Sequence, residues 1–122
     1  MRILLIDDDP AVRNALARLL ATRHEVRTAA SHDEAAAVLS EDARFDAIVC
    51  DVVMPERTGL EVLATIRAHW PGLAPRVLLI TGGSISRTID EGVEASGAPV
   101  LRKPFSFAEL ESALVTLVSP AR

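Results

Sequence analysis

Cysteine and lysine are almost missing from this chain, each occurring once, as Cys50 and Lys103. A single cysteine cannot close an internal disulfide, and the apolar neighbours Ile48 and Val49 make a buried thiol its expected role. Long apolar runs are missing too. Although hydrophobic residues make up 49% of the chain, no run approaches the ~18 residues that a membrane-spanning helix needs. The apolar stretch near the start gives way at once to Asp7-Asp8-Asp9, which is wrong for a signal peptide. Nor is there an excess of base: the net charge is −4, so nucleic-acid binding by this domain has no electrostatic support. These absences together suit a cytoplasmic protein. The scarcity of lysine is also informative in the other direction. Twelve of the thirteen basic residues are arginine, which makes the lone ammonium of Lys103 worth explaining.

At 122 residues the chain is the size of one domain, able to bury roughly two-thirds of its unfolded surface. Ile3-Leu4-Leu5-Ile6 reads as a buried strand ending at Asp7-Asp8-Asp9. Asp9 before Pro10 is a good N-cap with proline at the first helical position, and is expected to serve only as that cap. The helix it opens has Val12, Leu16, Leu19 and Leu20 on one face. Glu25 to Ala29 is a short second strand. Ser31 and Glu34 have capping-box spacing before a second helix, as do Thr58 and Glu61 before a third and Ser106 and Glu109 before the last.

Between them, Ala47-Ile48-Val49-Cys50 is too short for a helix and suits a strand buried on both faces. It stops at Asp51, and Pro55 prevents it from resuming. Val77-Leu78-Leu79-Ile80 is a fourth strand ending at Thr81-Gly82-Gly83. The segment Ser86 to Ser96 reads as a weak helix, anchored by Ile85, Ile89 and Val93 and carrying Gly92, which costs about 1 kcal/mol in a helix interior. Pro99-Val100-Leu101 is a short fifth strand before Arg102-Lys103-Pro104. Trp70, where the third helix ends, is expected to pack rather than bind. His24, His32 and His69 are expected at the surface.

Strands alternating with helices predict one α/β domain over 1–122, a doubly wound parallel sheet with helices on both faces built from right-handed crossovers. No internal repeat, low-complexity stretch or linker interrupts it. In such sheets ligands bind beyond the carboxyl ends of the strands. Asp7 and Asp8 stand at the first such end, Asp51 at the third, Thr81 at the fourth and Lys103 at the fifth. The second ends in Ala29-Ala30, which is chemically mute and suits an edge strand. A lone aspartate usually just punctuates a strand, but three carboxylates at one edge repel each other and are not kept together for stability. A divalent cation relieves that repulsion, and an all-oxygen set fits Mg²⁺. A hydroxyl and an ammonium beside them can hold phosphoryl oxygens, so the whole set describes phosphoryl transfer to an aspartate.

Ile6-Asp7-Asp8-Asp9-Pro10, Asp51-Val52-Val53-Met54-Pro55, Thr81-Gly82-Gly83 and Lys103-Pro104-Phe105 resemble the receiver domain of two-component response regulators, over essentially the whole chain. The resemblance implies a flavodoxin-like five-stranded sheet in the order 2-1-3-4-5. It implies Asp51 as phosphoacceptor, with Asp7, Asp8, Asp51 and the Val53 backbone carbonyl as ligands of Mg²⁺. Thr81 and Lys103 would contact the phosphoryl group, and Lys103–Pro104 would be a cis peptide. It further implies a sensor histidine kinase or phosphotransfer protein as donor, and a downstream protein target or fused domain as receiver of the signal. No enzyme activity is implied beyond self-phosphorylation from a phosphohistidine and autodephosphorylation. The Thr81-Gly82-Gly83 loop is similar to that of receivers attached to hybrid sensor kinases.

Three other readings compete. An aspartyl-phosphate hydrolase typically has a second acid two residues after its nucleophile, where Val53 stands here. A flavin-mononucleotide module needs a phosphate-binding loop after the first strand, where three aspartates would repel phosphate. A receiver-fold interaction module that is never phosphorylated is the more serious rival, opposed by the complete acid, threonine and lysine set. The chain departs from the resemblance at one place. Many receivers carry a rotating aromatic three residues before the lysine, where this chain has Val100, stiff at χ1. Gly82-Gly83 and the weak helix after them suggest backbone rearrangement of residues 82–97 as the means of readout.

Overall fold

A computed structural model describes residues 1–82 and 86–119. Five strands and five helices alternate: β1 (Arg2–Ile6), α1 (Pro10–Ala21), β2 (Glu25–Ala29), α2 (His32–Glu41), β3 (Ala47–Asp51), α3 (Gly59–His69), β4 (Val77–Thr81), α4 (Arg87–Ser96), β5 (Val100–Arg102) and α5 (Phe107–Val118). A single 3₁₀ turn at Ala74–Arg76 leads into β4. The strands pair in parallel in the order β2-β1-β3-β4-β5, the order that the resemblance implies. β1, β3 and β4 thus lie inside the sheet, which is why their sequences are almost unbroken apolar runs.

The pleat divides the core in two. Leu4, Ile6, Ile48, Cys50 and Leu79 pack under α2, α3 and α4. Ile3, Leu5, Val49, Leu78 and Ile80 face α1 and α5 through Leu20, Leu110 and Leu114. Successive strand residues take opposite faces, so both cores grow from the same short runs. Each strand therefore ends at the same lip of the sheet, and the site chemistry follows from that.

Helix starts match the spacing in the sequence, with a qualification. Ser31, Thr58, Ser86 and Ser106 accept hydrogen bonds from the N–H three residues on. Only Ser106 and Glu109 form a reciprocal box, because the Glu34 carboxylate turns instead to the Ala30 N–H at 3.4 Å. The segment expected to be a weak helix is helical from Arg87 to Ser96, and Ile89 and Val93 pack on the core. Ile85, its third expected anchor, lies outside the described residues, as do Gly83 and Ser84. Gly92 has a packing reason: a Cβ there would come within 2.7 Å of Leu60 Cδ1 in α3. β5 begins one residue later than the apolar pattern indicates, because Pro99 has no N–H to give the ladder.

The expected surface placement of the histidines fails for two of the three. The His24 side chain is 8% exposed and its Nε2 lies 2.8 Å from Glu111 Oε1 in α5. His32 is buried between α2 and α3, with Nε2 2.7 Å from Thr65 Oγ1. Both rings are covered because a distant helix brings a polar partner to them, which makes burial affordable. His69 is exposed. Trp70 packs on the core as expected, edge-on to the His69 ring at 5.8 Å. Among the described residues no helix is long and apolar enough to cross a membrane.

Candidate functional site

The site grows from the ends of β1, β3 and β5. β1 ends at Ile6, and the Asp7 N–H then continues toward β2 by donating to the Ala29 carbonyl at 3.1 Å. That leaves the Asp7 side chain just past the sheet, where its Oδ1 accepts from the Asp9 N–H at 3.0 Å. Asp9 in turn caps α1 through the Ala11 and Val12 N–H groups at 2.9 and 3.3 Å. Arg13, one turn into α1, reaches back to the Asp7 carbonyl at 2.9 Å. The loop is thus held at both ends before any ligand arrives.

β3 carries Asp51 as its last residue, buried together with the rest of the strand. The Val53 N–H donates to Asp51 Oδ1 at 3.3 Å, and Lys103 Nζ lies 3.4 Å from Oδ2. Lys103 follows β5, its N–H bonded to the Thr81 carbonyl at 2.7 Å, and the Lys103–Pro104 peptide bond is cis, as the resemblance implies.

Asp7, Asp8 and Asp51 each offer a carboxylate oxygen within 4.8 Å of the others. With Asp9, Val12, Val53, Gly82 and Lys103 they line a cavity of about 300 Å³ open to solvent. The electrostatics are unfavourable for the protein alone. Burial pushes the Asp7 carboxyl up, and the charges of Asp51 and Asp8 add to that, against the Asp9 N–H and Lys103. Next door, burial pushes the Cys50 thiol far above its ordinary range, with Asp51 and Asp7 adding to it, so Cys50 is the inert buried thiol expected. The donor set is entirely oxygen, crowded and under-neutralised by one ammonium. It fits a small hard divalent cation such as Mg²⁺.

Asp7, Asp8, Asp51, Val53 and Lys103 are therefore brought together as the sequence predicts. Thr81 is the exception. It ends β4, but it lines a different groove, between α4 and β5, and Gly82 takes its place beside the acids. Its hydroxyl oxygen is buried without a hydrogen-bond partner among the described residues. Sequence reasoning missed Asp9 as a wall of the cavity and Arg13 as a brace. Asp9 gave no separate signal because a capping aspartate before proline is explained by the helix alone.

The chain matches the response regulator receiver domain family over residues 3–115. It is similar to the response regulator MprA of Mycobacterium avium, with 40% identity over 111 residues covering 90% of this chain and 47% of that protein. The chain thus spans about half the length of the curated relatives it matches. A response regulator receiver domain protein from Clostridium thermocellum superposes with a TM-score of 0.83 at 30% identity, covering 96% of this chain and 93% of that one. The chemotaxis protein CheY4 of Vibrio cholerae gives 0.80 at 32% identity, covering 95% and 97%.

Proposed function

Because the chain belongs to the response regulator receiver domain family, we propose that it accepts a phosphoryl group on Asp51 from a phosphohistidine, and that this changes which protein surface it binds. Receiver domains of response regulators are signalling modules rather than classical enzymes, and a histidine kinase is the partner that membership implies. The observation that carries the proposal is the convergence of Asp7, Asp8, Asp51 and the single lysine of the chain at one lip of the sheet.

In the proposed step an Asp51 carboxylate oxygen attacks the phosphorus of the donor. A P–O bond forms, the P–N bond to the imidazole breaks, and the nitrogen keeps the electron pair and takes up a proton. β3 holds Asp51 rigidly at the mouth of the cavity, and the Val53 N–H fixes one of its oxygens so that the other faces incoming phosphorus. Lys103 Nζ, already beside that carboxylate, moves a short distance to a phosphoryl oxygen. Asp7, Asp8, Asp51 and the Val53 carbonyl would hold Mg²⁺, which supplies charge neutralisation at the phosphoryl oxygens. Release by water restores the carboxylate. The donor and target are proteins, a sensor kinase or phosphotransfer protein on one side and a separate or fused output domain on the other. Cytoplasmic placement agrees with this chemistry.

Intact-mass measurement after incubation with phosphoramidate and Mg²⁺ tests the proposal. One added phosphoryl group, lost in Asp51→Asn, is expected. No addition to the wild-type chain would leave the unphosphorylated interaction module as the better reading.

A further inference from the structure

His32 opens α2, and its buried ring meets two other parts of the chain. Ala35, Leu39 and Trp70 wall it. Among the described residues three polar side chains reach it. Thr65 Oγ1, in α3, lies 2.7 Å from Nε2. Asp33 Oδ1, next along α2, lies 3.0 Å from Nδ1. A guanidinium nitrogen of Arg57, in the loop between β3 and α3, lies 3.5 Å from the same Nδ1. Nδ1 therefore has one acceptor and one donor beside it, and its protonation state decides which of them it can serve. Without a proton it offers a lone pair that only Arg57 can use. With one, Nδ1–H donates to Asp33 and a positive ring faces Arg57.

Asp33 is ready to accept throughout. Its carboxyl is held below the usual carboxylate range by the hydrogen bond with His32 and, more weakly, by the charge of Arg57, against desolvation. The Asp33 side chain is also 84% exposed, so water satisfies it when the ring does not. The neutral ring accordingly keeps its hydrogen on Nε2, toward the Thr65 hydroxyl oxygen, because a hydrogen on Nδ1 would oppose the Arg57 N–H. Arg57 matters through its loop, which leads from Asp51 to α3. The Arg57 N–H donates to the Pro55 carbonyl at 2.7 Å. That closes a turn around Glu56, whose φ of 67° lies in the left-handed region that a residue with a Cβ occupies at a cost. Such a turn keeps its shape when its surroundings hold it. The same loop carries Val53, whose N–H donates to Asp51 Oδ1 at 3.3 Å.

We propose that His32 is a positioning residue for phosphoryl transfer to Asp51, and that a proton controls it. The neutral ring accepts from Arg57 and anchors the turn of residues 55–57 to α2. A proton taken from solvent at Nδ1 directs the ring to Asp33 and releases Arg57, and the loop that carries Val53 loosens behind the phosphoacceptor. This role rests on the phosphorylation of Asp51 proposed above, and it places a second pH-sensitive group outside the acidic cavity. The charged groups that face the ring are Asp33 from α2 and Arg57 from the loop, while α3 presents only the Thr65 hydroxyl.

The test compares the full ¹⁵N-labelled chain with Arg57→Met between about pH 5.5 and about pH 7.5, within the range where imidazole ordinarily changes charge. At the upper pH the wild-type His32 ring should carry its hydrogen on Nε2. As pH falls, the wild-type Val53 amide signal should move in step with the ring signals, and in Arg57→Met it should not follow them. In labelling with phosphoramidate and Mg²⁺ the wild type should be about threefold faster than Arg57→Met at the upper pH, the scale of one modest hydrogen bond. At the lower pH it should be no faster. Comparing the two chains at each pH cancels the effect of pH on the donor itself. A neutral ring with its hydrogen on Nδ1, a Val53 signal that follows the ring equally in both chains, or one ratio of rates at both pH values would overturn the proposal. A wild type that takes no label at any pH would instead overturn phosphorylation of Asp51, and the ring and Val53 signals would then decide by themselves whether His32 holds the turn.

Discussion

Gly59, the first residue of α3, sits against the backbone that carries Asp51: a Cβ at Gly59 would lie 2.5 Å from the Asp51 carbonyl oxygen and 2.9 Å from Val52 Cα. Backbone cannot swing aside as the tip of a side chain does. The close approach is fastened by the Gly59 N–H, which donates to the Val52 carbonyl at 2.8 Å. α3 thus seats itself directly behind the proposed phosphoacceptor.

Gly59→Ala should therefore destabilise the domain by about 1–3 kcal/mol, as overpacking of a close contact does. It should also slow phosphorylation in the fraction that remains folded, because Asp51 must shift to relieve the clash. Urea unfolding and phosphoramidate labelling measure the two effects. Gly92→Ala is the contrast. There the obstacle is Leu60 Cδ1, the end of a side chain, and alanine recovers about 1 kcal/mol of helix propensity. The net change in stability should be small, and a stabilisation should emerge in a Leu60→Ala background.

The two glycines also show what the sequence could and could not disclose. The strands were legible because β1, β3 and β4 are buried on both faces and so read as short apolar runs. Asp7, Asp8, Asp51 and Lys103 were legible as a set because parallel strands deliver all their ends to one lip. Gly92 read as a defect because Leu60, which fills the space it leaves, lies on another helix. His24 and His32 read as surface residues for the same reason: their partners Glu111 and Thr65 are 87 and 33 positions away. Orientation was equally hidden. The end of β4 places Thr81 near the acids, and only the structure shows that it borders the other groove and that Gly82 lines the cavity.

The acidic cluster predicts an inverted pH response. The Asp7 carboxyl is raised above its ordinary range in the folded chain, first by burial and then by Asp51 and Asp8. The folded state therefore holds the proton more tightly than the unfolded one, and stability falls as pH climbs through the folded pKa. Asp7→Asn should stabilise the metal-free domain above that window and do nothing below it. Mg²⁺ at ~10 mM should raise the melting temperature of the wild type at neutral pH and have much less effect on the variant. Denaturation series in chelator and in Mg²⁺ separate these outcomes, and an Asp7→Asn protein less stable than wild type in chelator would contradict the argument.

Lys103 and Arg102 make a matched pair of cations with different surroundings. Lys103 Nζ lies 3.4 Å from Asp51, whereas the Arg102 side chain lines the α4–β5 groove. Lys103→Ala should cut phosphorylation or the response to it by at least about tenfold, the factor lost with roughly 1.4 kcal/mol of phosphoryl contact. Arg102→Ala should leave labelling unchanged. Circular dichroism checks that both variants fold, and equal loss in the two would remove the special role of the lysine.

Thr81 supplies the last prediction. Its hydroxyl is buried with no partner among the described residues, and the residue borders the α4–β5 groove. A buried hydroxyl left unpaired costs roughly 1–3 kcal/mol against a group of the same shape with no polar atom. The unphosphorylated state therefore carries a cost that a phosphoryl oxygen at Asp51 would remove, if the hydroxyl turned to the cavity. Gly82, next to Thr81 in the chain, lines the acidic cavity together with Lys103. Thr81→Val keeps the shape and deletes the oxygen. It should stabilise the unphosphorylated domain by about 1 kcal/mol while abolishing the change in hydrogen exchange over 86–97 that beryllofluoride, a phosphoryl mimic, is expected to produce in the wild type. Thr81→Ser, which keeps the oxygen, should preserve that change. A destabilised Thr81→Val protein, or one whose exchange still responds to beryllofluoride, would show that the hydroxyl is not the link between the cavity and α4.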